Sequence, residues 1–113
     1  MQKHKFKFFR GDDVSYRLLF RLPNGEPVNL DGIRLYLHAM VEGKTEPQIE
    51  LSTQNGGVSI NTEGEVLINF SHADTQDVDW EIANYDLQLT DTKGKRKTVL
   101  YGTIQLIPDQ TQI

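Results

Sequence analysis

Between Glu65 and Pro108 apolar and polar side chains change places at almost every step. Val66, Ile68 and Phe70 alternate with Glu65, Leu67 and Asn69, and Tyr85, Leu87 and Leu89 alternate with Asp86, Gln88 and Thr90. A polar turn, Asp91-Thr92-Lys93-Gly94-Lys95, then sends the chain back through Thr98 to Ile107. Successive side chains of a strand point to opposite faces, so a period of two gives each strand one dry face and one wet face. An amphipathic helix would need apolar positions three and four apart. The segment therefore reads as antiparallel sheet joined by short turns.

The same rule extends upstream. Lys3, Lys5 and Lys7 alternate with His4, Phe6 and Phe8, a strand whose charged face protects a sheet edge, and Gly11-Asp12-Asp13 ends it. Val14, Tyr16, Leu18, Phe20 and Leu22 alternate with Ser15, Arg17, Leu19 and Arg21 until Pro23-Asn24-Gly25 stops the strand. Ile33, Leu35, Leu37 and Ala39 define a third, and Ile49 and Leu51 a short fourth. Asn55-Gly56-Gly57 tolerates positive φ, so Leu51 and Val58 are expected to flank a tight hairpin, with a further turn at Thr62-Glu63-Gly64. Ser71 is placed to cap a helical turn within 72–79, with Asp74 near its positive end.

The 113 residues thus make one domain, 1–113, without repeats or linkers. The expected fold is all-β: an immunoglobulin-like, all-antiparallel sandwich of seven or eight strands with one helical turn. Its interior is assigned to Tyr16, Leu18, Leu35, Ile68, Trp80, Tyr85, Leu87 and Ile104. Tyr85 lies where such folds can form a tyrosine corner, its hydroxyl bonding to backbone a few residues upstream, with Trp80 spaced to pack beneath it.

No reactive constellation stands out. With no cysteine there is no disulfide and no thiolate metal site. His4, His38 and His72 lack metal-ligand spacing, and His38 falls on the outward face of its strand. Asp74, Asp77, Asp79 and Glu81 do not follow the calcium-loop pattern, which needs glycine at the sixth position where Asp79 stands. Gly-x-Ser-x-Gly and Gly-x-x-x-x-Gly-Lys signatures are absent. The expectation is a protein that is not an enzyme, with no catalytic residues, no cofactor and no metal. Gly102, inside the last strand, marks a bulge or a close backbone approach.

Charge is distributed unevenly. Lys3, Lys5, Lys7, Arg10 and Lys93, Lys95, Arg96, Lys97 supply eight of the 12 Lys and Arg residues, while the net charge is −4. The start of the first strand and the last hairpin share one end of an immunoglobulin-like sandwich, and the acidic stretch 74–81 lies at the other. These eight residues form the candidate interaction patch, and a molecule positive at one pole and negative at the other would self-associate head to tail. Net negative charge argues against nucleic acid as a partner. The start of the chain has no apolar run fit for a signal peptide, and no segment is long enough to span a bilayer.

Several short motifs carry a family resemblance. Gly11-Asp12-Asp13, Val28-Asn29-Leu30-Asp31-Gly32, Gly64-Glu65-Val66-Leu67-Ile68, Ala73-Asp74-Thr75, Tyr85-Asp86-Leu87 and Leu100-Tyr101-Gly102-Thr103-Ile104 occur in that order. From about Gly11 to Thr111 the chain resembles the small immunoglobulin-like domains of tailed-phage and prophage virion proteins, including the N-terminal domain of siphophage upper baseplate proteins. The resemblance implies a tail, baseplate or fibre component that contacts other phage structural proteins, located in the virion or the host cytoplasm. The shared motifs are turns and core positions, so no binding residue transfers. A carbohydrate-binding or adhesive module is the alternative on the same sandwich. It would require exposed aromatics on one face, with Tyr36 and Tyr101 as outward candidates and Trp80 exposed beside Tyr36.

Overall fold

The computed structural model describes residues 2–61 and 64–108. The chain forms β1 (Gln2–Lys3), β2 (Phe6–Phe9), β3 (Val14–Leu19), β4 (Arg34–Met40), β5 (Ile49–Ser52), β6 (Val58–Ile60), β7 (Glu65–Phe70), a single helical turn α1 (His72–Thr75), β8 (Ile82–Thr90) and β9 (Arg96–Ile107). The larger sheet runs β1-β9-β8-β4-β5, with β2 also on β9, and the smaller runs β3-β7-β6. Their inner faces meet as an immunoglobulin-like β-sandwich. Leu35, Leu37 and Ala39 of β4, Tyr85 and Leu87 of β8 and Ile104 of β9 are buried in one core with Val66, Ile68 and Phe70 of β7. Of the assigned interior, only Tyr16 and Leu18 are partly exposed, because β3 is a sheet edge.

The sheets are not all antiparallel. β1 and β2 pair with β9 in parallel, Gln2 opposite Leu100 and Phe6 opposite Ile104. Both registers share one offset (100 − 2 = 104 − 6 = 98), so β1 and β2 are one interrupted strand and the described residues form eight lanes. The direction follows from the turn at Gly11, whose φ of 82° and N–H bond to Thr75 Oγ1 (2.8 Å) carry the chain into the other sheet. A strand that joins β9 while heading for that crossing must run the same way as β9. Gly102 shows why the last strand has no side chain there: a Cβ would overlap the His4 carbonyl. That is the close backbone approach its position in the sequence indicates, while the irregularity in the β8–β9 ladder lies at Leu87/Gln88.

Other boundaries differ in instructive ways. Leu51 and Val58 do not flank a two-strand hairpin, since β5 and β6 belong to different sheets and Asn55 organises the crossover. Its Oδ1 accepts from the N–H groups of Ser52 (2.9 Å) and Gly57 (2.8 Å). β3 stops at Leu19; Arg21 forms an isolated bridge with Pro27, and Leu22, expected inside, is exposed. The helical turn covers His72–Thr75, shorter than the 72–79 span, with the Asp74 carboxylate accepting from the Ser71 N–H at 2.8 Å. Of the turn expected at Thr62-Glu63-Gly64, residues 62 and 63 lie outside the described residues. Tyr85 forms no tyrosine corner: its hydroxyl donates to the His4 carbonyl at 2.7 Å, tying β8 to the first strand. Burial pushes its phenol pKa far up, so it remains a donor at any ordinary pH.

Candidate functional site

The β9 register decides where the eight candidate cations lie. Arg96 and Lys97 open the strand, and Lys93 and Lys95 lie in the turn before it. Lys3 stands opposite Tyr101, Lys7 opposite Gln105, and the Arg10 N–H bonds the Ile107 carbonyl (2.9 Å). At about 3.3 Å per residue, the N-terminal cations are strung over roughly 25 Å of sheet edge. Only Lys3 approaches the hairpin. Arg10 reaches the opposite end, where its Nη2 donates to the Trp80 carbonyl at 3.4 Å. The acidic stretch does lie there, since the Glu81 carbonyl accepts from Leu106 N–H and Asp79 pairs with Lys44 (3.3 Å). The two basic segments therefore form a stripe with a basic hairpin at one end. The first strand runs along β9 from Leu100 to Ile107, so its cations do not gather with the hairpin into the single positive pole that the sequence predicts.

The histidines do not converge. Among the described residues no three His, Asp or Glu side chains gather as a metal-holding group. His38 is exposed on the outer face of β4 as expected. His72 is held by Asp13, whose Oδ1 accepts from the His72 N–H and meets Nδ1 at 3.0 Å. That backbone bond, followed by the side-chain one, holds the Asp13 carboxyl below its ordinary value of 3.8. Trp80 is 5% exposed and lies in the core, so it adds no platform beside half-buried Tyr36, while Tyr101 stands exposed on β9. No helix among the described residues is long and apolar enough to cross a membrane.

Two concavities flank β3. The first, of about 500 Å³, opens near its N-terminal end and is lined by Asp13, Ser15, Glu50, Asn55, Asn69 and Asp74 among others. Its polar groups largely satisfy one another. Ser15 Oγ donates to Asn69 Oδ1 (2.8 Å), and Asn69 Nδ2 donates to Ser59 Oγ (2.9 Å) and the Gly56 carbonyl (3.3 Å).

The second, of about 640 Å³, lies at the other end of β3, bounded by Arg17 through Arg21 and, across from them, by Gln2, Lys97 and Leu100. Alternate side chains of a strand point to opposite faces, so Arg17, Leu18 and Leu19, consecutive in β3, line one cavity only where it runs along the strand's edge, and Phe20 and Arg21 extend it past the strand's end. Its floor is apolar, including Leu18, Phe20, Val28 and Leu89. Among the described residues, Arg17, Arg21 and Lys97 are its only charged lining residues. Arg17 has one long contact with Glu65, 3.9 Å. Lys97 belongs to the patch expected from sequence, whereas Arg17 and Arg21 do not. The available signal was that Arg17, Leu19 and Arg21 share the outward face of an edge strand, but edge position depends on topology.

No family model matches the sequence, and no curated protein matches it. Among solved structures the chain is similar to the crystal structure of CopC from Methylosinus trichosporium OB3b, at 8% identity and a TM-score of 0.49, over 96% of this chain and 89% of that one.

Proposed function

We propose that this protein is a non-enzymatic structural or assembly component of a tailed phage or prophage, a tail, baseplate or fibre part that works through protein–protein contacts. The observation that carries this reading is the groove along the edge of β3, where an apolar floor, strand backbone unpaired among the described residues and exposed Leu19 adjoin one another. An isolated domain gains nothing from an open strand edge with apolar flanks, which invites association; a component of an assembly uses it. The order of turn and core motifs described above supplies the phage context.

Particles induced from a lysogen carrying the gene test the proposal. Mass spectrometry of purified virions, or electron microscopy after gene deletion, is expected to find the chain in the particle or to find tails arrested in assembly. Normal particles that lack the chain, formed equally well after deletion, would contradict it.

A further inference from the structure

Among the described residues, the backbone of β3 is paired on one side only. Asn69 and Asn61 mark the ladder between β7 and β6: Asn69 N–H bonds the Gly57 carbonyl and Asn61 N–H the Glu65 carbonyl, so odd residues of β7 face β6. Even residues of β7 then face β3, in agreement with the Phe20 N–H bond to the Gly64 carbonyl. In an antiparallel ladder, residues alternate between facing their partner and facing away. Val14, Tyr16 and Leu18 therefore spend their backbone groups on β7, and Ser15, Arg17 and Leu19 direct theirs to the open edge. At the N-terminal end this edge is approached by β2, with Tyr16 hydroxyl donating to the Lys7 carbonyl (3.2 Å). From Arg17 onward the two sheets part and the groove begins. Among the described residues the smaller sheet is three lanes wide against five in the larger, and the groove lies where its fourth strand would be.

From this we infer that the groove receives an extended segment of a partner protein as an added strand beside β3, one that alternates acidic with apolar residues. This deepens the proposed role by naming the chemistry of the contact, and it rests on that reading for the existence of a partner. Side chains of the added strand that point inward meet Leu18, Phe20, Val28 and Leu100. Those that point outward stand beside Arg17 and Arg21, with Lys97 on the facing wall. Among the described lining residues three cations and no carboxylate select acidic partners, while main-chain bonds to Arg17 and Leu19 supply affinity that does not depend on side-chain identity.

The probe is a fluorescent peptide about eight residues long that alternates Glu with Val or Leu, set against the same peptide with Lys in place of Glu. Fluorescence anisotropy is expected to give saturable binding of the Glu peptide, at least about tenfold tighter than that of the Lys peptide and weakened by salt. Leu19→Pro removes an N–H that faces the open edge and leaves the β3–β7 ladder intact, as an edge position allows. It is expected to cut affinity about tenfold or more, whereas Leu19→Val retains it. The double variant Arg21→Glu, Lys97→Glu changes only exposed side chains and is expected to reverse the peptide preference. Near-ultraviolet circular dichroism verifies the fold of each variant, and the charge reversal stands as the decisive variant if Leu19→Pro does not fold.

Equal binding of both peptides, no binding of either, or binding indifferent to the charge reversal overturns the inference. So does a groove already filled by a second copy, seen as a dimer by light scattering that the charge reversal dissociates. Presence of the chain in virions without peptide binding would remove the groove assignment alone. Peptide binding by a protein absent from virions and dispensable for their assembly would remove the phage role alone.

Discussion

The two ends of β3 are built from one strand and reach opposite outcomes. At the N-terminal end nearly every group has a partner within the chain. Asp13 holds His72, Gly11 N–H meets Thr75, Ser15 meets Asn69, and Tyr16 packs its ring 4.7 Å from Phe6 while its hydroxyl bonds Lys7. Burial raises the Tyr16 pKa, partly offset by that bond. At the C-terminal end Leu19 is 48% exposed, Arg17 has only a long contact with Glu65, and the apolar floor behind the strand stays open. The contrast teaches that polar character alone does not mark a binding surface. The more polar concavity is consumed by its own hydrogen bonds; the more apolar one, whose cations hold a single long contact among the described residues, has capacity left for another molecule.

Four changes can break or sharpen that contrast. Phe6→Ala would remove the ring that fastens the closed end: Phe6 is fully buried, with Tyr16, Phe70 and Tyr85 at 4.7, 5.5 and 5.1 Å between centroids. A loss of about 3–5 kcal/mol in urea unfolding is expected. Asn69→Ala deletes the amide shared by Ser15, Ser59 and Gly56, and is expected to cost about 1–2 kcal/mol in the same measurement. Arg21→Glu with Lys97→Glu, at the open end, is expected to leave stability within about 0.5 kcal/mol of the parent, because both side chains are exposed. A large loss there would mean that the open end is structural too.

The smallest effect concerns pH. The folded-state pKa of Asp13 lies below 3.8, so its contribution is fully present above that value and fades as pH falls through the lowered one. Asp13→Ala is expected to flatten the acid limb of a thermal-unfolding profile slightly and to leave the neutral range nearly unchanged, since the carboxylate is exposed.

Much of this body was legible in the sequence. Leu35, Leu37 and Ala39, Val66, Ile68 and Phe70, and Tyr85 and Leu87 announced the buried faces of β4, β7 and β8 because side-chain alternation is a local property. Ser71 and Asp74 announced the helical turn for the same reason. Pairing is not local. Nothing in Lys3 to Phe9 says that its neighbour is β9 or that the two run in parallel, although Gly102 carried a trace of it, a residue without a side chain where His4 passes. The Tyr85 hydroxyl bonds the His4 carbonyl, far upstream, and not backbone a few residues before it, a partner that only the same long-range information supplies. The groove was illegible for that reason also: Arg17 and Arg21 read as ordinary outward residues until topology leaves β3 without a second neighbour among the described residues.

Amide hydrogen exchange of the isolated protein, read residue by residue along β3, tests the central claim most directly. The Tyr16 and Leu18 amides are expected to exchange at least about a hundredfold more slowly than those of Arg17 and Leu19, with binding of the acidic peptide slowing the latter pair. Uniform protection of all four, or the opposite parity, would contradict an open edge on this strand.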